Sequence, residues 1–188
     1  LREQGCNVFG PSAAAARIEG SKAFAKDIMI AAGVPTARSL DEPRAPCVLK
    51  ADGLAAGKGV FLCTSEQDVE TALPLVRALG TNVVIEDLLV GREISVFAVC
   101  DGERALALPI AKDYKRIGEN DTGLNTGGMG SYSPAELPAG ITPAEIVETV
   151  HKPVLRELTR RGTPFSGLLY AGLMITATET LVLEFNCR

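Results

Sequence analysis

The sequence predicts an α+β fold, and two observations carry that expectation. Runs of strand composition outnumber helical ones, and most come as neighbouring pairs separated by short turn signals, which is the pattern of antiparallel hairpins and not of βαβ crossovers. Asp101-Gly102, between "EISVFAVC" and "ALALPI", is the clearest of these turns, and a second lies around Ala177–Glu179 between "GLLYAGLMIT" and "TLVLEFN". A chain of 188 residues is one large domain or two small ones, long enough to bury a real core.

In chain order, "NVFG" is strand-like and "SAAAARI" is a small helix with Ser12 as a suitable N-cap. A second helix starts at Ser21, carries Phe24, Ile28 and Ala31 on one stripe, and is stopped by Gly33 and Pro35. "CVLKA" (Cys47–Ala51) and "VFLC" (Val60–Cys63) form a hairpin around a glycine-rich tip. Ser65 and Asp68 make a capping box for the next helix, which Pro74 is expected to kink or break. "NVVIE" and "EISVFAVC" are strands. Residues 111–134 show neither helical nor strand periodicity, and the expectation is a long, shaped, functional loop carrying Tyr114, Met129, Tyr132 and "NTGGMG". Thr142-Pro143 opens a helix with Val147, Val150, Val154 and Leu158 facing the core; Pro153 bends it and Gly162 closes it.

Composition narrows the partners. An apolar fraction of 46%, a charged fraction of 22% and a net charge of -4 give no electrostatic reason to expect nucleic acid or an anionic membrane. No apolar run approaches the ~20 residues that span a bilayer. Five scattered cysteines without a C-x-x-C read as small buried hydrophobes in a reducing cytosol. The sequence does not begin with Met and ends at "EFNCR" directly after a strand-like run, so it is expected to be the central piece of a longer protein.

Two stretches point to chemistry. "KADGLAAGKGV" (Lys50–Val60) misses both familiar phosphate loops: three residues instead of four separate Gly53 from Gly57, Lys58 precedes Gly59 instead of Ser or Thr, and no third glycine completes a dinucleotide pattern. It also joins strand to strand. Its free backbone N–H groups, bracketed by Lys50 and Lys58, suit a lid over phosphate; the plain alternative is a flexible hairpin tip. In "TLVLEFNCR" alternate residues share a face, so Leu181, Leu183 and Phe185 point one way and Val182, Glu184 and Asn186 the other. Glu184 and Asn186 offer the hard oxygen ligands Mg²⁺ prefers, and Arg188 would add a fixed cation on that face; the plain alternative is a solvated strand. His151, the only histidine, falls between core positions 150 and 154 of its helix and is expected at the surface or boundary.

"EGSKAFAKD", "KADGLAAGKGV", "DTGLNTGGMGSYSP", "YAGLMIT" and "LEFNCR", in that order, resemble the phosphoribosylamine–glycine ligases of the ATP-grasp superfamily. The resemblance covers Val8 to Arg188 and implies an ATP-grasp fold, two α+β subdomains holding ATP under a glycine-rich hairpin lid. Residues 1–20 would then be the remnant of an upstream domain and linker, 21–88 the lid subdomain, and 89–188 the core subdomain, with further domains missing on both sides.

The same resemblance implies residue roles. Lys22 and Lys50 would reach the α- and β-phosphates, and Gly53, Gly57, Lys58 and Gly59 would cover the β- and γ-phosphates. The backbone of Glu86, Asp87, Leu88 and Leu89 would read adenine, and Glu93 would take the ribose hydroxyls. Glu184 and Asn186 would hold Mg²⁺ or Mn²⁺, with Lys50 and Arg188 neutralising charge during phosphoryl transfer. Asp113, Lys115, Arg116, Asn125, Thr126, Gly127 and Gly128 would contact glycine and 5-phosphoribosylamine. The implied reaction is the ATP-dependent ligation of these two to glycinamide ribonucleotide, ADP and phosphate, a cytoplasmic step of de novo purine synthesis. Two other readings stand beside it: a truncated ATP-binding module without turnover, and an ATP-grasp ligase for another acid and acceptor. The sequence departs from the family where "PTARSLDEPRAP" replaces a helical stretch between Val34 and Cys47, where Tyr114 replaces a common His, and where Leu124 replaces a common Pro.

Overall fold

The computed structural model describes residues 2–55, 58–80, 82–119 and 122–188, with the side chains of Arg2, Leu124 and Asn125 left aside. Among the described residues the strands form three antiparallel sheets. The smallest unit in sequence is the hairpin β1 (Cys47–Ala51) and β2 (Val60–Cys63), extended by β3 (Val83–Asp87) in the order β2-β1-β3. The larger sheet is β5-β4-β8-β9, from β4 (Arg92–Asp101), β5 (Ala105–Ala107), β8 (Ser166–Ile175) and β9 (Thr180–Cys187). A two-stranded ribbon, β6 (Lys112–Gly118) with β7 (Thr122–Tyr132), makes the third.

The larger sheet buries one face. Val96 and Ala98 of β4, Leu169 and Leu173 of β8, and Val182 and Phe185 of β9 meet Ile28 of α2 (Lys22–Ala31) and Leu155 and Leu158 of α5 (Lys152–Arg160) in one cluster. Each fully buried leucine, isoleucine or phenylalanine contributes about 1.5–3 kcal/mol to that face. α1 (Ala13–Gly20) joins the cluster through Ala15 and Ile18. α2, inside the 21–88 span expected for the lid unit, therefore gives its apolar side to the larger core. The smaller sheet has its own core, where Cys47, Leu49 and Cys63 pack on Val69, Ala72 and Val76 of α3 (Glu66–Leu79).

Local signals place most elements. Ser12 accepts from Ala15 N at 3.2 Å, and Ser65 and Asp68 close their capping box. Asp101 Oδ1 accepts from Arg104 N at 2.9 Å, fixing the β4–β5 turn. Thr142 and Glu145 form a further capping box ahead of α4 (Pro143–Ile146). Among the described residues no helix is long and apolar enough to cross a membrane. None of the five cysteines is in a disulfide, but only Cys47, Cys63 and Cys100 are buried. Burial pushes the Cys63 thiol up to about 11 and the Cys100 thiol up to about 12, whereas Cys6 is exposed and Cys187 half-buried, against the expectation of five buried hydrophobes.

Six expectations are corrected. "NVFG" forms no strand. On α2, Ala31 is exposed, and the buried side comprises Ala25, Lys26, Ile28 and Met29. α3 runs unbroken through Pro74, because the apolar side it lays on the small sheet outweighs one lost backbone bond. The single helix expected from Thr142-Pro143 to Gly162 is interrupted ahead of Pro153 by a π-helical turn, Val147–His151, which absorbs the missing donor. His151 is fully buried, not at the surface, because that wider turn rotates it inward. Residues 111–134 are largely a hairpin; its glycines carry no side-chain alternation from which pairing could be read.

The face assignment in β9 also shifts. Gly172 pairs with Glu184 and Leu173 with Val182, so Leu183 is an extra, bulged residue. The bulge carries Val182 to the core side with Phe185, while Glu184 and Asn186 keep a common face.

Candidate active site

The solvent-side face of the larger sheet collects polar groups. Alternation brings Glu93, Ser95 and Phe97 of β4, Tyr170 of β8, and Glu184 and Asn186 of β9 to one surface. The Phe97 and Tyr170 rings meet at 5.2 Å and give this surface a rigid floor. The β6–β7 hairpin lies against it through paired hydrogen bonds between Ser95 and Ala111.

Lys115 of that hairpin reaches down to the carboxylates, 2.5 Å from Glu93 Oε1 and 3.6 Å from Glu184 Oε1. Burial by itself lowers the Lys115 pKa, but the Tyr170 phenol, Glu93 and Glu184 together outweigh it and raise the pKa, so Lys115 is a cation. Opposite Lys115 the ladder opens: β6 goes from Tyr114 to Arg116 while β7 goes from Gly130 to Asn125. Thr126 sits in this excursion, donating its hydroxyl to the Lys115 carbonyl at 2.7 Å and accepting from Gly128 N at 3.1 Å. Gly128 has φ +119°, which a side chain rarely tolerates, and it lies beside the Asp113 carboxylate. Gly127 is in open space. Arg116 is half-buried on β6, and the Asn125 side chain lies outside the described residues.

The glycine-rich turn is anchored from below. Asp52 accepts from Lys22 N at 2.7 Å, from Ala23 N at 3.3 Å and from the Ser21 hydroxyl at 3.3 Å, so it caps α2 across 30 residues of chain. The Lys22 ammonium returns to the Gly53 carbonyl at 2.8 Å. Burial lowers the Lys22 pKa; Glu184 and Asp52 raise it and Lys50 lowers it, so these charges share one neighbourhood. Gly59 must be glycine for a different reason, since a Cβ there would stand 2.6 Å from that of Ala55. Lys58 is exposed on the turn, with its backbone N–H on Ala55 O at 2.9 Å. Gly57 lies outside the described residues.

Lys50 is buried between the two sheets. Its Nζ lies 2.6 Å from Glu86 Oε2 and donates to the carbonyl of the bulged Leu183 at 2.9 Å. Lys26 Nζ lies 2.6 Å from the other Glu86 oxygen and also donates to Thr36 Oγ1 and Ala37 O. The segment "PTARSLDEPRAP" stitches the sheets together: Thr36 bridges to Val182 of β9, and Ser39 bridges to Glu86 of β3. Asp87 takes a bidentate pair from Arg38, and after it Leu88 and Leu89 leave the strand; among the described residues their backbone groups make no hydrogen bond.

The structure thus gathers Lys22, Lys50, Gly53, Glu86, Glu93, Lys115, Glu184 and Asn186, but not the Arg188 guanidinium. That group is largely exposed and turns to Glu19 of α1 at 3.3 Å. Sequence reasoning missed Lys26, Asp52 and Tyr170. Lys26 was visible one turn after Lys22 on the same helix face, and Asp52 directly before Gly53. Tyr170 carried no signal beyond strand alternation.

The family model described as phosphoribosylglycinamide synthetase, ATP-grasp (A) domain, matches residues 20–188. The phosphoribosylamine–glycine ligase of Streptomyces coelicolor is 52% identical over 200 residues, covering all of this chain and 47% of the relative. That of Corynebacterium ammoniagenes is 46% identical over 203 residues, covering 48% of the relative. The chain spans about half the length of the curated relatives it matches. The crystal structure of phosphoribosylamine–glycine ligase from Thermotoga maritima aligns with TM-score 0.85 at 37% identity, over 97% of this chain and 51% of that one. D-alanine–D-alanine ligase from Bacillus anthracis, complexed with ATP, shares the fold at TM-score 0.66 and 21% identity over 99% of this chain and 61% of that one. The two sheets meeting at Lys50 and Leu183 are an ATP-grasp fold, and the chain belongs to the phosphoribosylglycinamide synthetase ATP-grasp domain family.

Proposed function

We propose that this chain is the ATP-binding part of a ligase that joins glycine to 5-phosphoribosylamine, forming glycinamide ribonucleotide, ADP and phosphate in de novo purine synthesis. The observation that carries the reading is the 52% identity to a phosphoribosylamine–glycine ligase along the whole chain. The cluster of Lys22, Lys50 and Glu184 beside a glycine-rich turn supports it. Within this reading the small sheet with α3 is the lid part of span 21–88, whose α2 packs on the core unit, and 89–188 is the core unit. Five free cysteines, three of them buried, fit a reducing cytoplasm.

The chemistry follows from charge. The glycine carboxylate attacks the γ-phosphorus of ATP, and the bond to ADP breaks. The amine of phosphoribosylamine then attacks the carbonyl of glycyl phosphate, loses a proton, and phosphate leaves. Such transfers depend on alignment and on neutralising charge over the phosphoryl oxygens. Lys22 and Lys50 supply ammonium groups for the α- and β-phosphates, and the N–H groups of Gly53 and Gly59 line the turn over the β- and γ-phosphates. The free backbone groups of Leu88 and Leu89, next to Glu86 and Asp87, suit the adenine edge, and Glu93 the ribose hydroxyls. Asp113, Lys115, Arg116, Asn125, Thr126, Gly127 and Gly128 form the acceptor-side surface. A closed lid excludes water from the acyl phosphate. Arg188 joins the phosphate site by leaving Glu19.

Mg²⁺ or Mn²⁺ fits Glu184 and Asn186. The Glu184 carboxylate already draws in a cation, the Lys115 ammonium, and Asn186 adds an amide oxygen on the same face. When bound, the ion neutralises phosphate oxygens.

A second reading, an ATP-binding module without turnover, is favoured by the half-length coverage of the relatives. ATP with Mg²⁺ is expected to raise the melting temperature of the chain. Phosphate release dependent on both glycine and phosphoribosylamine would establish the ligase. Its absence here, with activity in a longer version of the chain, would select the binding module. Glu184→Ala is expected to abolish turnover in whichever version is active; retained turnover would remove Glu184 from the metal site.

A further inference from the structure

Lys26 plays no part in the reading above, yet its side chain is only 8% exposed, and its ammonium is surrounded by acceptors: Glu86 Oε1, Thr36 Oγ1 and Ala37 O. Glu86, at 5%, divides its two oxygens between Lys26 and Lys50, each at 2.6 Å. Two ammoniums on one carboxylate leave a surplus of one positive charge in a cluster shielded from water. A buried ion is costly unless paired, and a Lys50–Glu86 pair alone would already be neutral. The second lysine therefore costs stability without completing any pair. Of the two lysines, Lys50 is the one on the strand that runs straight into the Asp52–Gly53 turn, and its charge is felt by Lys22 beside that turn.

We propose that Lys26 is a positioning residue for the nucleotide: it cancels the charge of Glu86, so that Glu86 fixes the Lys50 ammonium in place without neutralising it. Lys26 touches no phosphate itself. It works through Glu86, leaving Lys50 its full charge while denying it freedom to swing. This rests on the ATP-binding reading above, and the charge count separates it from a purely structural role. A tie between α2 and residues 36–37 would be lost whenever Lys26 is removed, whatever stands at position 86.

The test is calorimetric titration of ATP into the native chain and three variants, with thermal unfolding as a check that each is folded. Lys26→Met brings the cluster to zero charge, and ATP affinity is expected to fall about tenfold or more. Lys26→Met/Glu86→Gln restores the single positive charge, keeps the backbone at position 86 and leaves an amide oxygen there to accept from Lys50, so affinity is expected to recover to within about threefold of native. Lys26→Arg keeps the charge and is expected to bind within the same range. Native-like affinity in Lys26→Met, or a double variant as weak as the single, overturns the proposal. Should Lys26→Met not fold, the double variant decides alone: recovery supports the proposal and loss overturns it. A native chain that bound no ATP would remove both the nucleotide reading and this inference. Binding by the native chain with failure of the double variant removes only the inference.

Discussion

Lys115 stands between Glu93 and Glu184, 2.5 Å from the first carboxylate and 3.6 Å from the second, so a side chain of the β6–β7 hairpin supplies the cation for the proposed metal and ribose groups. The hairpin that would present the acceptors is thereby tied to the face that would present the nucleotide. A metal at Glu184 would repel the Lys115 ammonium there, so loading the metal is expected to weaken the tie of the hairpin to that face.

That competition is measurable. In Lys115→Met the carboxylates lose their tethered counter-ion, and the Mg²⁺ concentration that half-stabilises the ATP-bound chain is expected to fall roughly three- to tenfold. Thermal unfolding at fixed ATP across a Mg²⁺ series reads it. An unchanged midpoint would mean that Lys115 and the metal do not compete. Loss of the metal effect altogether would mean that Lys115 helps to hold the nucleotide.

Asp52 gives a second prediction. It takes the first amides of α2 and so joins the base of the glycine-rich turn to the larger core. Asp52→Ala is expected to cost about 1–2 kcal/mol of stability, the usual range for a lost N-cap. Proteolysis within the turn should quicken at the same time, because Gly53 and Lys22 are held by the same junction. A variant as stable as the native chain, with an unchanged cleavage rate, would show that Ser21 suffices as the cap.

These two residues mark what could and could not be read beforehand. The hairpins, capping boxes and core faces of the long helix were legible, since each depends on residues within a few positions of one another. Glu184 and Asn186 were correctly placed on one face, but Val182 was not, because a bulge at Leu183 is decided by pairing with Gly172 and has no local mark. The β6–β7 ribbon hid behind glycines, which form ladders without showing alternation. Asp52 and Lys26 carry local signals, beside Gly53 and one turn after Lys22, but their roles depend on partners far away in sequence, at Lys22 and Glu86. Alternation puts Arg188 on the Glu184 face, but its long side chain follows Glu19.

His151 supplies the last prediction, in pH. Its ring is fully buried, and among the described residues neither nitrogen has a hydrogen-bond partner. Burial pushes its pKa down from 6.5 to about 4, although the nearby carbonyls of Leu169, Ile146 and Val96 oppose this. The unfolded chain takes up the proton first, near pH 6.5, and the folded chain only near 4. The stability this group contributes is therefore complete above pH 6.5 and is lost as pH falls toward 4, by up to about 3 kcal/mol. No other histidine exists to blur the range between pH 6.5 and 5. Glu157, held down to about 2 by hydrogen bonds from Arg160 and Arg161, loses its share only below its ordinary 4.5. Urea unfolding at half-unit steps from pH 7.5 to 5 is expected to show a falling midpoint in the native chain and a nearly flat one in His151→Leu. Equal slopes in the two proteins would mean that the imidazole is protonated as readily inside the fold as outside it.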